Sequence, residues 1–569
     1  MCIFMPSMSK VNIIVNHVKY SHSFKEYFPV FLVVLVTFLY YFFTIRDGHS
    51  WDGDFSLYIS HAKNIATGIA YTSTGYIYNP QYPGLGPQTY PPVFPLMLAP
   101  IYKLYGIDLH AMKILGIISF SVFLLFFYFY CTKTLGSRFL QLFVVLMVAI
   151  SPWFWEQKNL VLSDIPFMLF VYITFYLFYS VDNQKNNKKI ILLAIAIGFS
   201  CYLAYGTRSI GALLIVSFIA HDLIKARIIT RPVIIATAVF SILFFNQNFV
   251  SNTHTDLSYI RGLDLKMSLD NTDNNKFSKS ISDKTSNNTS TSSSEFSAIN
   301  YIGRKIAKNV SLHFVQYATI MRGYWKNGFS RILQGIMGSI VLLFLLVGYF
   351  FLLRKKFKTG EIFIVELFAI IYIIALLIVP QYHGKRYLLP IIPLYLLYFV
   401  YGLDISLNKK SISIRNYTYA LIITLVTVSY IGYLSIHNFT KFENGVEKKE
   451  SVELFNFVRK HTPHDSVFIF RKPRVLALYT DRRSSAYYIP RNNKDELWAY
   501  INKINATYII ETTIAKDDQP KEDASKLTNP VEPVNLEDSK EYLDFIDRNR
   551  NMLETVFENA DFRVYRIKT

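Results

Sequence analysis

The sequence predicts a polytopic α-helical membrane domain of about eleven spans followed by a small soluble α/β domain. Three observations carry this. Of 569 residues, 52% are hydrophobic and only 17% charged, whereas a soluble protein carries roughly 25% charged residues. Apolar runs long enough to cross a bilayer recur along most of the chain. Near residue 445 that pattern stops, and short amphipathic helices and alternating strands take over.

The apolar runs lie at 27–45, 112–131, 138–152, 164–181, 189–206, 209–224, 231–249, 332–353, 361–380, 388–402 and 416–436. Orientation follows from where short loops keep Lys and Arg. Lys10, Lys19 and Lys25 precede the first run, and Lys133 and Arg138 follow the second. Lys185, Lys188 and Lys189 come after the fourth, Lys225, Arg227 and Arg231 after the sixth. Arg354, Lys355, Lys356 and Lys358 follow the eighth, and Lys409, Lys410 and Arg415 the tenth. Every second loop is enriched, as a cytoplasmic N-terminus (residues 1–26) requires. The first run has no small-residue cleavage site and is long for a signal peptide, so it reads as a retained span. By this parity the first loop (46–111), the segment around Asp164, the 250–331 loop, the HGKRY segment and the C-terminal domain all face outward.

Within 250–331, residues 266–297 are almost entirely Ser, Asn, Thr, Lys and Asp. That composition cannot bury enough apolar surface to order itself, and it reads as a disordered insertion. Asn287, Asn288 and Asn309 each begin an N-x-S/T pattern, a weak signal. The transmembrane domain is therefore expected over 27–440 and the α/β domain over 441–569. In the latter, Val452, Phe455 and Val458 recur at helical spacing, as do Leu497, Tyr500, Ile501 and Ile504. SVFIF (466–470), SAYYI (485–489) and TYIIE (507–511) read as strands; 514–537 reads as a loop, 539–552 as a helix, and TVFEN with FRVYRI as a closing hairpin.

The formal charge of +19 is spread over short loops without one basic face. This argues against nucleic acid and for membrane lipid headgroups or phosphates as partners. Three cysteines (Cys2, Cys131, Cys201), none in the C-terminal domain, exclude a disulfide framework and a Cys-based zinc site.

The chemistry-bearing residues gather on the outward side. Asp52 and Asp54 sit just past the first span in WDGDFSLYISHAKNIATG, where either caps the following helix or serves as a general base or a ligand for Mg²⁺ or Mn²⁺. Asp164 opens the span SDIPFMLF, where it caps that helix, with Pro166 in the first turn, or works in a polar cavity. Arg208, in AYGTRSIG, and Arg386, with Lys385 and His383 in QYHGKRYLLPIIPLY, stand at outer boundaries that the positive-inside bias leaves unexplained. They either snorkel to headgroups or grip a phosphate. His383 could join Asp54 and Asp164 on a metal. Trp51, Tyr58, Tyr90, Trp153 and Trp155 read as an interfacial belt or a platform for sugar rings. The basic RKPRVLALYTDRR segment reads as a solvated face, with headgroup contact as the alternative.

Taken in order, these motifs resemble integral-membrane glycosyltransferases of the GT-C class. The similarity is to the branch holding protein O-mannosyltransferases and lipid A aminoarabinose transferases. The first outer loop with its D-x-D, the PP-x-x-P-L-x-L-A run, SDIPFMLF, TRSIG, RYLLPIIPL and KPRVLALYTDRRSSAYY carry it, from about residue 27 to the end. The resemblance implies inverting transfer from a polyprenyl-phosphate sugar on the extracytoplasmic face, to a protein, a lipid or a cell-envelope glycan. It places the first acidic site on Asp54, with Asp52 second, and the other on Asp164. The Asp-Glu pair common in the class is here Asp52-Gly53-Asp54-Phe55, which leaves open which carboxylate acts. The rival is a transporter or flippase of lipid-linked saccharides, for which charges near the midplane and internal repeats are expected. The charges here lie at span ends, and no clear repeat is found.

Overall fold

The computed structural model describes residues 24–251 and 330–568, apart from 52, 81–85, 183, 379–384, 409, 436–440, 443, 488–495 and 513–535, together with isolated positions between 303 and 310. The 266–297 insertion, with Asn287 and Asn288, lies outside the described residues. Asn309 is buried and donates from its amide to the Leu377 carbonyl (3.0 Å), which leaves it poorly placed as a glycosylation acceptor.

The first half of the bundle comprises α1 (Phe24–Phe43), α2 (Gly53–Thr67), α3 (Val93–Tyr105), α4 (Leu109–Thr134), α5 (Arg138–Ala149), α6 (Pro152–Gln157), α7 (Asp164–Asp182), α8 (Asn187–Thr207), α9 (Leu213–Ala226) and α10 (Arg231–Ser251). After the insertion come α11 (Ser330–Thr359), α12 (Ile364–Ile378), α13 (Ile392–Leu407) and α14 (Ile412–Ser435). Each expected span falls on one of these helices. Local chemistry sets several ends. Asp108 caps α4 by accepting from the Ala111 amide (2.9 Å), and Asn186 caps α8 by accepting from that of Lys188 (2.9 Å). Among the described residues, Leu109–Thr134, Asp164–Asp182, Asn187–Thr207 and Ser209–Ala226 are long and apolar enough to cross a membrane. With the remaining apolar helices, they make this a multi-pass membrane protein.

In a bilayer, apolar faces gain little by meeting each other, so helix contact depends on close packing. The α11–α13 crossing shows this. A Cβ on Gly348 would sit 1.9 Å from the Tyr398 carbonyl oxygen, and one on Gly402 2.0 Å from that of Phe344. Glycine is needed at both places. Elsewhere, polar groups tie the bundle together. The Lys356 ammonium near the end of α11 lies 2.7 Å from Glu366 of α12 and donates to Tyr179 of α7 (3.1 Å), while Tyr130 of α4 donates to the same Glu366 oxygen (2.5 Å). All four residues are buried.

The C-terminal domain contains α15 (Lys449–His461), α16 (Pro473–Thr480), α17 (Glu496–Lys503) and α18 (Leu536–Arg548) around a six-stranded sheet. Five strands come from this domain: β2 (Val467–Ile469), β3 (Arg483–Ser485), β4 (Tyr508–Thr512), β5 (Leu553–Glu558) and β6 (Phe562–Ile567). The sixth, β1 (Tyr76–Ile77), belongs to the first loop and pairs in parallel with β3, giving the order β1-β3-β2-β4-β6-β5. The hairpin β5–β6 matches expectation. The SAYYI strand does not: β3 ends at Ser485, and Ala486 and Tyr487 leave the sheet.

The RKPRVLALYTDRR segment is not a solvated basic face. Pro473 starts α16 at its first turn, and Arg474, Val475, Leu476, Ala477 and Leu478 are all buried. One apolar cluster runs through Trp51, Phe55 and Phe94 into Leu454, Phe455, Phe468 and Val475, so the first loop and the C-terminal domain share a core. The Lys63–Asp481 ion pair and a bridge between Ser50 and Gly445 add to the joint.

Replacing Gly402 by Leu should force α11 and α13 apart at a cost of about 1–3 kcal/mol. A lowered thermal unfolding midpoint in detergent reads this out. Gly116→Ala, in α4 with open space around its Cβ position, should match the parent chain.

Candidate active site

Two carboxylates and three guanidiniums meet where the helix bundle faces the C-terminal domain. Asp54 stands in the first turn of α2 and Asp164 begins α7. Arg208 sits where α8 gives way to a 3-10 turn, and Arg386 lies in another 3-10 turn (Lys385–Leu388) ahead of α13. Arg474 comes from the first turn of α16. Every one of these positions is a helix end, where the chain can leave the apolar bundle without stranding backbone polar groups.

Their contacts alternate in sign. Arg208 Nη1 donates to Asp164 Oδ1 (2.5 Å). Arg386 bridges the carboxylates: Nη2 and Nε reach Asp164 Oδ2 (3.0 and 3.3 Å), and Nη1 reaches Asp54 Oδ2 (2.9 Å). The other Asp54 oxygen, Oδ1, accepts from the Tyr90 hydroxyl (2.7 Å) and lies 3.5 Å from Arg474 Nη1. Asp164 and Arg474 side chains are each 2% exposed, against 26% for Asp54 and 22% for Arg386. The node therefore opens through Asp54 and Arg386. Burial pushes the Asp54 carboxyl up, but Arg386, Arg474 and the Tyr90 hydrogen bond outweigh it and hold the group at about 2.

Two neutral imidazoles fix the supports. The Tyr90 amide donates to His61 Nε2 (3.3 Å), so Nδ1 carries the proton and donates to the Tyr71 carbonyl (2.9 Å). The Val161 amide donates likewise to His49 Nε2 (3.1 Å), whose Nδ1 donates to the Ser50 carbonyl (2.9 Å). Burial, stronger than these backbone bonds, lowers His61 from 6.5 to about 4 and His49 to about 3. Tyr58 stacks on Tyr90 (4.5 Å between ring centres) and shares a hydrogen bond with Ser163 (2.8 Å), next to Asp164.

Asp54, Asp164, Arg208 and Arg386 thus meet in one node, although 110 residues separate the two carboxylates in sequence. Asp52 and His383 lie outside the described residues, as does the Lys385 side chain. Among the described residues no three His, Cys, Asp or Glu side chains come close enough to hold a metal. All four oxygens of Asp54 and Asp164 already face guanidinium or hydroxyl donors. This donor set suits an anion better than a dication. Four of the five aromatic residues expected as a belt or a sugar platform are packed inside the protein. Trp51 packs against Phe455, Phe470 and Phe562, and Tyr58, Trp153 and Trp155 are buried as well. The sequence reading missed Tyr90 as a carboxylate partner, and it read Arg474 as part of a solvated or headgroup-contacting basic segment rather than as a site residue. Only the position of Tyr90 before Pro91-Pro92 hinted at a fixed backbone.

The family model described as dolichyl-phosphate-mannose-protein mannosyltransferase matches residues 89–249. No curated protein matches the chain. Among solved structures, the Archaeoglobus fulgidus oligosaccharyltransferase tethered to an acceptor peptide is similar at TM-score 0.55 and 12% identity, covering 87% of this chain and 70% of that one. The same enzyme in complex with Zn and sulfate aligns at 0.53 and 11%, covering 85% and 68%. ArnT from Cupriavidus metallidurans bound to undecaprenyl phosphate aligns at 0.51 and 11%, covering 95% and 98%. At such identities the structural likeness shows the fold, which is that of the GT-C class. The family match and this fold together support glycosyltransferase activity.

The two imidazoles give a pH signature. Their folded values lie below 6.5, so between pH 6.5 and about 4 the unfolded chain binds protons that the folded chain does not. Stability is complete above that window and should fall as pH drops through it. His61→Gln should flatten the decline of the thermal midpoint from pH 7 to pH 4.5; an unchanged slope would remove His61 from the account.

Proposed function

We propose that this chain transfers a sugar from a polyprenyl-phosphate donor to a hydroxyl-bearing acceptor on the extracytoplasmic face, with inversion at the anomeric carbon. The acceptor is a protein, a lipid or a cell-envelope glycan. The supporting observation is the charge count of the node: three guanidiniums against two carboxylates leave one positive charge over. A donor phosphodiester, with one negative charge, makes the sum zero. In the reaction the acceptor oxygen bonds to the anomeric carbon as the bond from that carbon to phosphate oxygen breaks. Asp54 takes the acceptor proton, and polyprenyl phosphate leaves with its second negative charge. The sum stays zero throughout, so the low-dielectric pocket has no net charge to accommodate at any stage.

Roles follow from exposure. Asp54 and Arg386, the more open pair, face the reactants; Arg386 and Arg208 meet the phosphate, and buried Asp164 orients both guanidiniums. The dolichyl-phosphate-mannose family match and the undecaprenyl phosphate bound to the bacterial structural neighbour support a lipid-phosphate donor. The acceptor peptide on the archaeal neighbour supports a polypeptide among the acceptors. Zinc and sulfate reported with that neighbour keep a divalent metal in view, but no step here needs one. The matching division of the chain is a cytoplasmic N-terminus (1–26), a transferase domain over 27–440 and an outward domain over 441–569.

Mass spectrometry of glycolipids, glycans and glycoproteins from cells with and without the chain should show one class losing a sugar. Asp54→Asn and Asp164→Asn, made separately, should each lower transfer by about 100-fold or more. Full activity in both variants would end the assignment.

A further inference from the structure

The two oxygens of Asp54 are held by different parts of the protein. Among the described residues Oδ2 meets Arg386, an arm about a fifth exposed at the mouth of the node. Oδ1 faces Tyr90 and Arg474, which are locked in place. Arg474 Nη2 donates to the Pro87 carbonyl (2.6 Å) and Nη1 to the Tyr90 hydroxyl (3.2 Å), and the guanidinium lies over the rings of Tyr76 (4.8 Å) and Tyr90 (5.5 Å). Gly86, at φ +102°, passes so close that a Cβ there would come within 3.1 Å of Nη2. Backbone and rings enclose this arginine, and it has no room to swing toward a ligand.

We propose that Arg474 is a positioning residue of the transferase: with Tyr90 it fixes Oδ1 of Asp54, so that Oδ2 becomes the proton-accepting oxygen when the donor phosphate draws Arg386 away. This rests on the transferase reading above. The C-terminal domain then supplies part of the active site. The balance of atoms is that of the transfer step, with the acceptor proton moving to Oδ2 and no co-reactant required. Arg474 also completes the charge sum, because without it the donor-loaded node would carry one net negative charge beside a developing phosphate dianion.

The test uses the full chain in lipid bilayers, with polyprenyl-phosphate mannose as donor and undecaprenyl phosphate as the binding probe. Arg474→Gln should lower kcat by about tenfold or more, with a much smaller rise in the donor KM and in the Kd for undecaprenyl phosphate, because the node loses one positive charge but no phosphate ligand. Arg474→Lys should restore part of kcat. Arg208→Gln should instead weaken undecaprenyl phosphate binding. If Arg474→Gln fails to fold, Tyr90→Phe, which removes only the hydroxyl on Oδ1, should lower kcat at unchanged donor KM. A raised donor KM at normal kcat would make Arg474 a phosphate ligand and overturn the proposal, as would full kcat in Arg474→Gln or Tyr90→Phe. A parent chain that binds undecaprenyl phosphate yet transfers no sugar from mannose, glucose or aminoarabinose donors overturns the transferase reading and this assignment together.

Discussion

Arg386 between Asp54 and Asp164 is the contact on which the site depends. One planar guanidinium reaches both carboxylates at 2.9 and 3.0 Å, and a point-charge ammonium could not span them with the same fixed geometry. Removing either carboxylate would leave a partly buried cation short of a partner, which is costly in low dielectric. The bridge therefore draws α2, α7 and the turn before α13 to a common place. In the proposed reaction its guanidinium is also the charge that a phosphate claims.

The rest of the molecule is arranged to hold that place steady. A second polar node, formed by Tyr130, Tyr179, Lys356 and Glu366, joins α4, α7, α11 and α12. It takes in the C-terminal end of α7, whereas Asp164 begins the same helix, so α7 is pinned by polar contacts at both ends. Between the nodes the helices are held by dense apolar and aromatic packing and by the glycine-mediated crossing of α11 and α13. Such packing is the main source of helix association when the surrounding solvent is itself apolar.

The first loop is the second structural constraint. It gives α2 and Asp54 to the site, a strand to the C-terminal sheet, and Trp51 to a shared core. The C-terminal domain cannot move as a free body without breaking strand pairing and exposing that core. This coupling gives Arg474 its fixed position and places a residue of the α/β domain 3.5 Å from a carboxylate of the first loop.

What the sequence determined by itself was everything that depends on local pattern. Apolar runs located the helices, because bilayer thickness imposes a length. Loop charges predict an orientation, and charges at span ends marked Asp54, Asp164, Arg208 and Arg386, since an ionised group beside an apolar run requires a reason. Tertiary structure alone decided which of these charges meet and in what order. It also decided the fate of groups whose local signal misleads. Arg474 and Arg482 lie in a basic segment that looks solvated, yet both are buried, Arg474 in α16 and Arg482 against the carbonyls of Arg459 and Thr462, and Trp51 looks like a boundary aromatic but fills a core. Tyr76 and Ile77 form a strand only because β3, some 400 residues later, offers an edge. Periodicity reports what a segment does with its neighbours along the chain; contacts across hundreds of residues are set by packing, and packing leaves no period to read.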